Sequence, residues 1–292
     1  MKRAVGPIWL LTWALAGCKP TSPPSTMPAG PRPLTIVVSL PPEAYFVERV
    51  GGPRVQVAAL VAPGQSPHTF EPLPTQVATL AAAAVYFTSG LPFETPLVAK
   101  VRGSHPDLRV VDLRQGVKLL PATDAHEGGE ADPHCWLDPL RVVPMVETIR
   151  GELARLDPAG QAVYDANAAA FVRDLRSVDR EIRQTLAGLN NRRFMVLHPA
   201  FGYFAAAYGL TQVAIEHEGK EPDARRLGAL ITEAKRQGSR VIFAQPGYSP
   251  LPADAIAREI GGHVVKLDPM AHDYLDNLRA IAGALRAGEA SP

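Results

Sequence analysis

One long amphipathic segment divides this chain into two parts: residues 158–189, PAGQAVYDANAAAFVRDLRSVDREIRQTLAGL. Its apolar residues recur at steps of three and four, which places them on one face of an α-helix. The residues of this face are Tyr164, Ala168, Phe171, Leu175, Val178, Ile182, Leu186 and Leu189. Asp157 and Pro158 form a favourable capping pair at the start. A helix over this segment, roughly 48 Å long at 1.5 Å per residue, could run along the whole folded body.

Short apolar runs alternate with helical patterns on both sides of this helix. The predicted strands cover residues 35–40, 55–61, 83–87, 108–113, 194–197, 212–215, 241–244 and 263–267. Continuous apolar runs between helices are typical of parallel sheets that are covered on both faces. The sequence therefore predicts an α/β fold, with two open, mostly parallel α/β lobes joined by one long backbone helix. We place the N-terminal lobe at residues 34–156, the linker helix at 157–189 and the C-terminal lobe at 190–288.

The composition is that of a folded protein and argues against a nucleic-acid partner. Of the 292 residues, 46% are hydrophobic and 20% are charged, with 30 basic and 29 acidic side chains. Nucleic-acid binders usually carry a clear basic excess, which this chain lacks. Because there are two cysteines, neither a disulfide scaffold nor a cysteine-rich zinc site is available.

The first 33 residues indicate an export signal followed by a tether. A short basic start precedes apolar residues 4–15, which are too few for a membrane-spanning helix of roughly 20 residues. The sequence LAGC at residues 15–18 resembles the bacterial lipobox. We therefore predict a signal peptide at residues 1–17, a lipid on Cys18 and a proline-rich tether at residues 18–33. Ordinary signal cleavage with an incidental Cys18 is the alternative. The expected location is extracytoplasmic, in the periplasm or at the cell surface.

Four polar residues lie beyond the carboxyl ends of predicted strands. His198 and Asp268 follow their strands directly, whereas His68 and His134 lie in the loops that come after theirs. Ligands of open α/β sheets bind at this edge. Since each lobe contributes two of the four residues, a cleft between the lobes could gather them all.

Three imidazoles and one carboxylate make a four-coordinate site that suits zinc. Manganese prefers more oxygen ligands, although such a set does not exclude it. Four protein ligands leave no open position, which favours a carrier over a catalyst. The spacing matches no short local zinc motif, and each residue has a structural alternative: a capped loop for His68 and His134, and a helix N-cap for Asp268.

Several long motifs, in order along the chain, resemble one known family. They are PGQSPHTFEPLPTQVATL at residues 63–80, ADPHCWLDP at 131–139, LHPAFGYFAAAYGL at 197–210, IEHEGKEP at 215–222 and LDPMAHDYLDNL at 267–278. The family is that of the metal-binding lipoproteins of bacterial ABC importers for zinc and manganese. The resemblance extends from residue 34 to about residue 285.

The resemblance implies one metal ion between the lobes, bound by His68, His134, His198 and Asp268. A histidine at the third position favours zinc, with manganese as the alternative. The resemblance also implies a monomer that performs no catalysis and delivers the ion to an ABC permease with a cytoplasmic ATPase. The rival functions are a metallohydrolase, in which the three histidines and a water hold the metal, and a surface adhesin.

Three features depart from the family pattern. Ser66 stands where an aspartate is common, so a partner of the first metal loop is replaced. Cys135 follows His134 where an aliphatic residue is usual, and we interpret it as a small buried hydrophobe. The long histidine- and acid-rich insertion of many zinc members is reduced to residues 124–132, which form either a short metal-capturing loop or a solvated acidic one.

Overall fold

A computed structural model describes residues 1, 32–122, 131–216 and 220–289 of the chain. The chain divides into Met1–Arg32 and Pro33–Pro292, and the second unit is the folded body. Residues 2–17 of the predicted signal peptide, Cys18, most of the tether and most of the loop at 124–132 lie outside the described residues. Within the described part of the chain, no helix has the length and apolar character needed to cross a membrane.

The N-terminal lobe is built on a four-stranded parallel sheet. Its strands are β1 (Leu34–Val38), β2 (Val55–Ala59), β3 (Val85–Thr88) and β4 (Val110–Asp112), in the order β2-β1-β3-β4. Its helices are α1 (Pro41–Gly51), α2 (Pro74–Ala81), α3 (Glu94–Arg102) and α4 (Val142–Leu156). Both α1 and α2 begin at a proline, whose fixed φ and missing N–H suit the first turn of a helix.

The C-terminal lobe repeats the same arrangement. Its strands are β5 (Arg193–Val196), β6 (Thr211–Ala214), β7 (Val241–Ala244) and β8 (His263–Lys266), all parallel, in the order β6-β5-β7-β8. Its helices are α6 (Gly202–Tyr208), α7 (Ala224–Arg236), α8 (Leu251–Ile260) and α9 (Tyr274–Glu289). The predicted fold of two parallel α/β lobes with a long helix between them is confirmed.

The long helix is shorter than the periodicity predicts. A 3₁₀ turn covers Pro158–Gly160, and the α-helix, α5, covers Gln161–Thr185. Its end comes just before Gly188, which has a φ of 74° that a helix cannot contain. The predicted apolar face is buried, from Tyr164 through Phe171 to Ile182.

One continuous core joins the two lobes. It contains β1 side chains such as Ile36, β7 side chains such as Phe243, and the buried face of α5. Helices α1, α4 and α9 pack against α5 and form, with it, the helical layer between the two sheets. Separate apolar clusters lie under α2 and α3 on one outer face and under α7 and α8 on the other. Because the core crosses from lobe to lobe, a wide hinge opening would expose apolar surface to water.

Candidate metal centre

Three of the four predicted ligands come together in the structure. His68 lies in a 3₁₀ turn, Pro67–Thr69, between β2 and α2. His134 immediately precedes the turn Cys135–Leu137 in the segment that links β4 to α4, and His198 lies two residues beyond β5. One potential ligand atom from each of the three side chains lies within 4.8 Å of the other two. The carboxyl edges of both sheets therefore contribute to one cluster, as the positions in the sequence predict.

The spacing of the three rings is close to that of a bound-metal site. Their centroids are 4.9 Å apart for His68 and His198, 5.5 Å for His134 and His198, and 6.2 Å for His68 and His134. Nitrogens that bind one tetrahedral zinc ion at about 2.0–2.1 Å are about 3.3 Å from each other. The ligand atoms would thus have to converge by at most about 1.5 Å to bind one ion.

The His134 ring is oriented by a buried carboxylate. Asp132 Oδ1 lies 2.8 Å from His134 Nδ1 and also accepts the backbone N–H of His134 at 2.9 Å. Both residues are almost fully buried, at 1% and 3% exposure. When Nδ1 carries the proton of this hydrogen bond, the lone pair that can bind a metal is on Nε2.

The His198 ring is held in the same way by a carboxylate of the C-terminal lobe. Glu216 Oε2 lies 2.9 Å from His198 Nδ1, and the Tyr248 ring stacks on the imidazole at 4.7 Å. Gln245 accepts the His198 backbone N–H and donates to its carbonyl oxygen, at 3.1 Å and 2.6 Å. His198 Nε2 is buried and has no hydrogen-bond partner among the described residues. Buried polar atoms are normally paired, so this nitrogen is a candidate metal ligand.

Burial also favours the neutral form of His198. Desolvation lowers the pKa of the imidazole below its usual value, and the opposing effect of Glu216 is smaller. Neutral imidazole is the form that binds a metal, so this environment supports ligation near neutral pH.

The His68 loop reaches across to the C-terminal lobe. Ser66 Oγ accepts the backbone N–H of His68 at 3.3 Å and so caps the 3₁₀ turn. Phe70 anchors the end of the loop on Phe93, with their ring centroids 4.8 Å apart. Residues 64–66 pack so closely on Gly247 that a Cβ there would lie 2.8 Å from the Gly64 carbonyl oxygen. This contact joins the loop that carries His68 to the loop after β7, in which Tyr248 stacks on His198.

Asp268 lies outside the group of three histidines. Its Oδ1 accepts the backbone N–H of Met270 at 2.8 Å, and its carbonyl oxygen accepts from Asn277 Nδ2 at 2.7 Å. The carboxylate thus caps the turn at residues 268–270, which differs from the predicted alternative of a helix N-cap because α9 begins only at Tyr274. Its role as the fourth ligand stays a prediction.

Cys135 and the remaining described histidines do not join the cluster. Cys135 is fully buried, and burial raises the pKa of its thiol to about 12, so it stays a neutral thiol. His105 and His263 are exposed, and His272 lies 2.9 Å from Glu48 on the surface. His217 is outside the described residues.

Sequence reasoning missed the two carboxylates that orient the rings. Asp132 lies two residues before His134, a separation that suits a local hydrogen bond to the backbone of the histidine. Glu216 follows β6, the strand that pairs with β5, so strand order could have placed it beside His198. Both residues lie in motifs that resemble the family, at 131–139 and 215–222, and this is the sequence signal that could have identified them.

Known proteins resemble the chain over nearly the whole folded body. The family profile of the zinc-uptake complex component A, periplasmic, ZnuA, matches residues 36–288. The zinc-binding lipoprotein AdcA of Streptococcus pneumoniae strain R6 is 30% identical over 251 residues, which are 81% of this chain and 50% of AdcA. The chain thus spans about half the length of that relative.

Solved structures agree with this assignment. Crystal structures of ZnuA, one of them a deletion mutant with zinc bound, give TM-scores of 0.84 and 0.83 at 40% identity. The two matches cover 88% and 89% of this chain and 99% of each ZnuA chain. The laminin-binding protein Lmb of Streptococcus agalactiae has a TM-score of 0.78 at 27% identity, and the match covers 88% of this chain and all of Lmb. Lmb is described as a bifunctional protein with adhesin and metal-transporting activity. The chain belongs to the ZnuA family of zinc-uptake components, which confirms the family predicted from its motifs.

Proposed function

We propose that this protein captures one zinc ion outside the cytoplasmic membrane and delivers it to an ABC permease driven by a cytoplasmic ATPase. The observation that carries the proposal is the cluster of His68, His134 and His198, with one potential ligand atom of each within 4.8 Å of the others. The buried Nε2 of His198 supports it, since that atom has no hydrogen-bond partner among the described residues.

The donor set favours zinc over manganese. Three imidazole nitrogens match zinc, whereas manganese prefers a larger share of oxygen ligands. Asp132 and Glu216 each fix an imidazole through Nδ1, an arrangement that raises the basicity of the ligating nitrogen. The zinc-uptake family and the zinc-binding relative point to the same ion.

We propose that Asp268 supplies the fourth ligand. Its Oδ1 is occupied by the Met270 N–H, while a carboxylate has a second oxygen that can bind a metal. With four protein ligands, no position would remain for a reactive water, so we infer a carrier and not an enzyme.

The proposal includes attachment to a membrane surface through a lipid on Cys18. The LAGC sequence at residues 15–18 supports this attachment, and the AdcA relative is named a lipoprotein. The protein would act as a monomer in the extracytoplasmic space, with the proline-rich residues 18–33 as its tether.

A metal titration tests the zinc site. Metal-stripped protein competes with a chelating indicator for zinc, and separately for manganese. We expect one tight equivalent of zinc and a large loss of affinity in His134→Ala and His198→Ala. His105→Ala is the matched control, because His105 is exposed and lies outside the cluster. The proposal is rejected if the wild type has no tight zinc site, or if both cluster variants keep the wild-type affinity.

A further inference from the structure

The segment that carries His134 belongs by sequence to the N-terminal lobe, but a residue of the C-terminal lobe holds it. Tyr203, in the first turn of α6, is fully buried. Its hydroxyl donates to the carbonyl oxygen of Asp132 at 2.8 Å and accepts the backbone N–H of Leu120, also at 2.8 Å. Tyr203 therefore fastens the backbone at the residue whose carboxylate orients His134.

Helix α6 also approaches the Asp132 side chain closely. A Cβ on Gly202, the first residue of α6, would lie 2.8 Å from Asp132 Oδ2. The absence of a side chain at this position lets the helix pack directly against the carboxylate. The orientation of His134 is thus set partly by the opposite lobe.

A second attachment lies on the other side of His134. The Trp136 indole N–H donates to the carbonyl oxygen of Pro269 at 2.8 Å, and the Tyr274 hydroxyl donates to the carbonyl oxygen of Trp136 at 2.5 Å. Trp136 and Tyr274 are both buried, so water does not compete for these bonds. Pro269 is next to Asp268, the predicted fourth ligand. The reciprocal bonds therefore tie the His134 segment to the loop between β8 and α9.

We propose that Tyr203, Trp136 and Tyr274 are positioning residues that attach the His134 segment, residues 132–136, to the C-terminal lobe. This inference rests on the proposed zinc site and adds to it a division of the ligands. His134, His198 and Asp268 form one group of fixed geometry. His68 lies in the N-terminal lobe and takes no part in these attachments.

Variants that lack a single tyrosine hydroxyl test the inference, and the geometry of the metal site is measured in each. Tyr203→Phe and Tyr274→Phe each delete one attachment while keeping the ring. Tyr164→Phe is the matched control, since Tyr164 is equally buried and donates to Asp157 Oδ2 at 2.6 Å near the start of α5. The measurements on each purified protein are the zinc affinity, the visible absorption of the Co²⁺-loaded form, which depends on ligand geometry, and the melting temperature without metal.

We expect both attachment variants to lose roughly tenfold in zinc affinity, at the lower end of the range for outer partners of metal ligands. Their Co²⁺ absorption should shift as well. The control should lose stability to a similar extent while keeping the wild-type affinity and absorption. A purely structural role would lower the melting temperature of all three variants and leave zinc affinity and absorption unchanged, and that result would overturn the inference.

The outcomes separate this inference from the proposed function. If the wild type binds one zinc ion that His198→Ala loses, and both attachment variants bind like the wild type, only the inference fails. If the wild type binds neither zinc nor Co²⁺, the proposed function fails and the inference with it. Should Tyr274→Phe not fold, Tyr203→Phe decides alone.

Discussion

Asp132 and Glu216 show how single residues orient the histidines that we propose as zinc ligands. Each carboxylate lies within 3 Å of the Nδ1 atom of one buried histidine, at 2.8 Å and 2.9 Å. The bond fixes the ring and directs Nε2 toward the cluster. An amide in the same place would offer a weaker and uncharged acceptor.

We therefore expect Asp132→Asn and Glu216→Gln each to weaken zinc binding by about 10- to 100-fold. The competition titration against a chelating indicator measures this loss. Asp165→Asn serves as the control, because Asp165 is a half-exposed carboxylate that pairs with Arg150. Equal zinc affinity in Asp132→Asn, Glu216→Gln and the control would show that the carboxylates do not orient the ligands.

A second pair of buried carboxyl groups joins the ends of β1 and β3. Glu43 accepts the N–H groups of Ser39 and Leu40 at 3.0 Å each, as well as the Ser89 hydroxyl. Glu94 accepts the Ser39 hydroxyl at 2.5 Å and the Ser89 N–H at 2.9 Å. At the carboxyl edge of the N-terminal sheet, each acid thus accepts the backbone N–H of one serine and the hydroxyl of the other.

This pair predicts a pH-dependent stability. Burial above all, and then the charge of Glu94, raises the pKa of Glu43 from 4.5 to about 8. A raised carboxyl pKa means that the folded state binds the proton more tightly than the unfolded state does. The contribution of Glu43 to the free energy of unfolding is therefore complete below pH 4.5 and is lost as the pH rises through 8. The free energy of unfolding should fall by up to roughly 1.4 kcal/mol per pH unit in this window from Glu43 alone.

Glu43→Gln is the variant that tests this account, since glutamine mimics the protonated acid. Relative to the wild type, the variant should gain stability steadily as the pH rises from 4.5 to 8. Denaturant unfolding of the metal-free protein across this range measures the difference. A difference that does not change with pH would contradict the raised pKa.

Residue positions relative to strands indicated that four residues could meet in one cleft, and the three histidines among them do lie together. His198 follows a clear apolar run, and the carboxyl edge of such a sheet is where ligands bind. The partners of these histidines were not predicted, because Glu216 is 18 residues from His198 in sequence and meets it only through the pairing of β5 with β6. Which carboxylate oxygen caps the Asp268 loop likewise depends on backbone geometry.

At the scale of elements, periodicity predicted the existence of the long helix better than its ends. The segment at 158–189 contains α5 at Gln161–Thr185, with a 3₁₀ turn before it and Gly188 after it. A Cβ on Gly160 would lie 2.5 Å from Arg54 Nε and 2.6 Å from Asp157 Oδ2. Arg54, which is more than 100 positions away, thus crowds the start of the helix, and a local sequence pattern cannot show this.

The contact between two loops at the edge of the cluster gives a prediction at this scale. Gly247 has a φ of +85°, and a Cβ there would lie 2.8 Å from the Gly64 carbonyl oxygen. Gly247→Ala should therefore push residues 64–66 away and speed the release of zinc from His68. Stopped-flow mixing of the zinc-loaded protein with a chelator measures the release rate.

Gly238→Ala is the control that distinguishes the steric effect of this added Cβ from the effect of backbone strain. Gly238 also has a left-handed φ, +65°, but a Cβ there would meet no atom within 4 Å. It should cost about 1 kcal/mol of stability or more, like Gly247→Ala, without changing zinc release. Equal release rates in the two variants would show that the loop contact does not hold the ion.

At the scale of the whole molecule, the continuous core limits how the lobes can move. The cluster that contains Ile36 of the first sheet also contains Phe243 of the second and Phe171 of α5. We expect the radius of gyration to be the same in metal-free and zinc-loaded protein, as measured by small-angle X-ray scattering. A clear contraction on zinc binding would indicate a hinge closure that this core should prevent.

The order of elements was sufficient to predict the two-lobed α/β architecture. Alternating strands and helices imply parallel sheets, and one long amphipathic helix implies a bridge between them. The central helical layer was not foreseen, because contacts such as those of α9 with α5 join residues far apart in sequence. The attachment of Trp136 to Pro269 is of the same kind, because its partners are 133 positions apart in the sequence.

The central claim is that three histidines from two lobes bind one zinc ion. Crystals of the zinc-loaded protein, measured at the zinc absorption edge, test it most directly through the anomalous difference map. We predict one strong peak at about 2.0–2.1 Å from a nitrogen of each of His68, His134 and His198, with an Asp268 oxygen as the fourth ligand. A zinc peak away from these three residues, or no ordered zinc at all, would contradict the account.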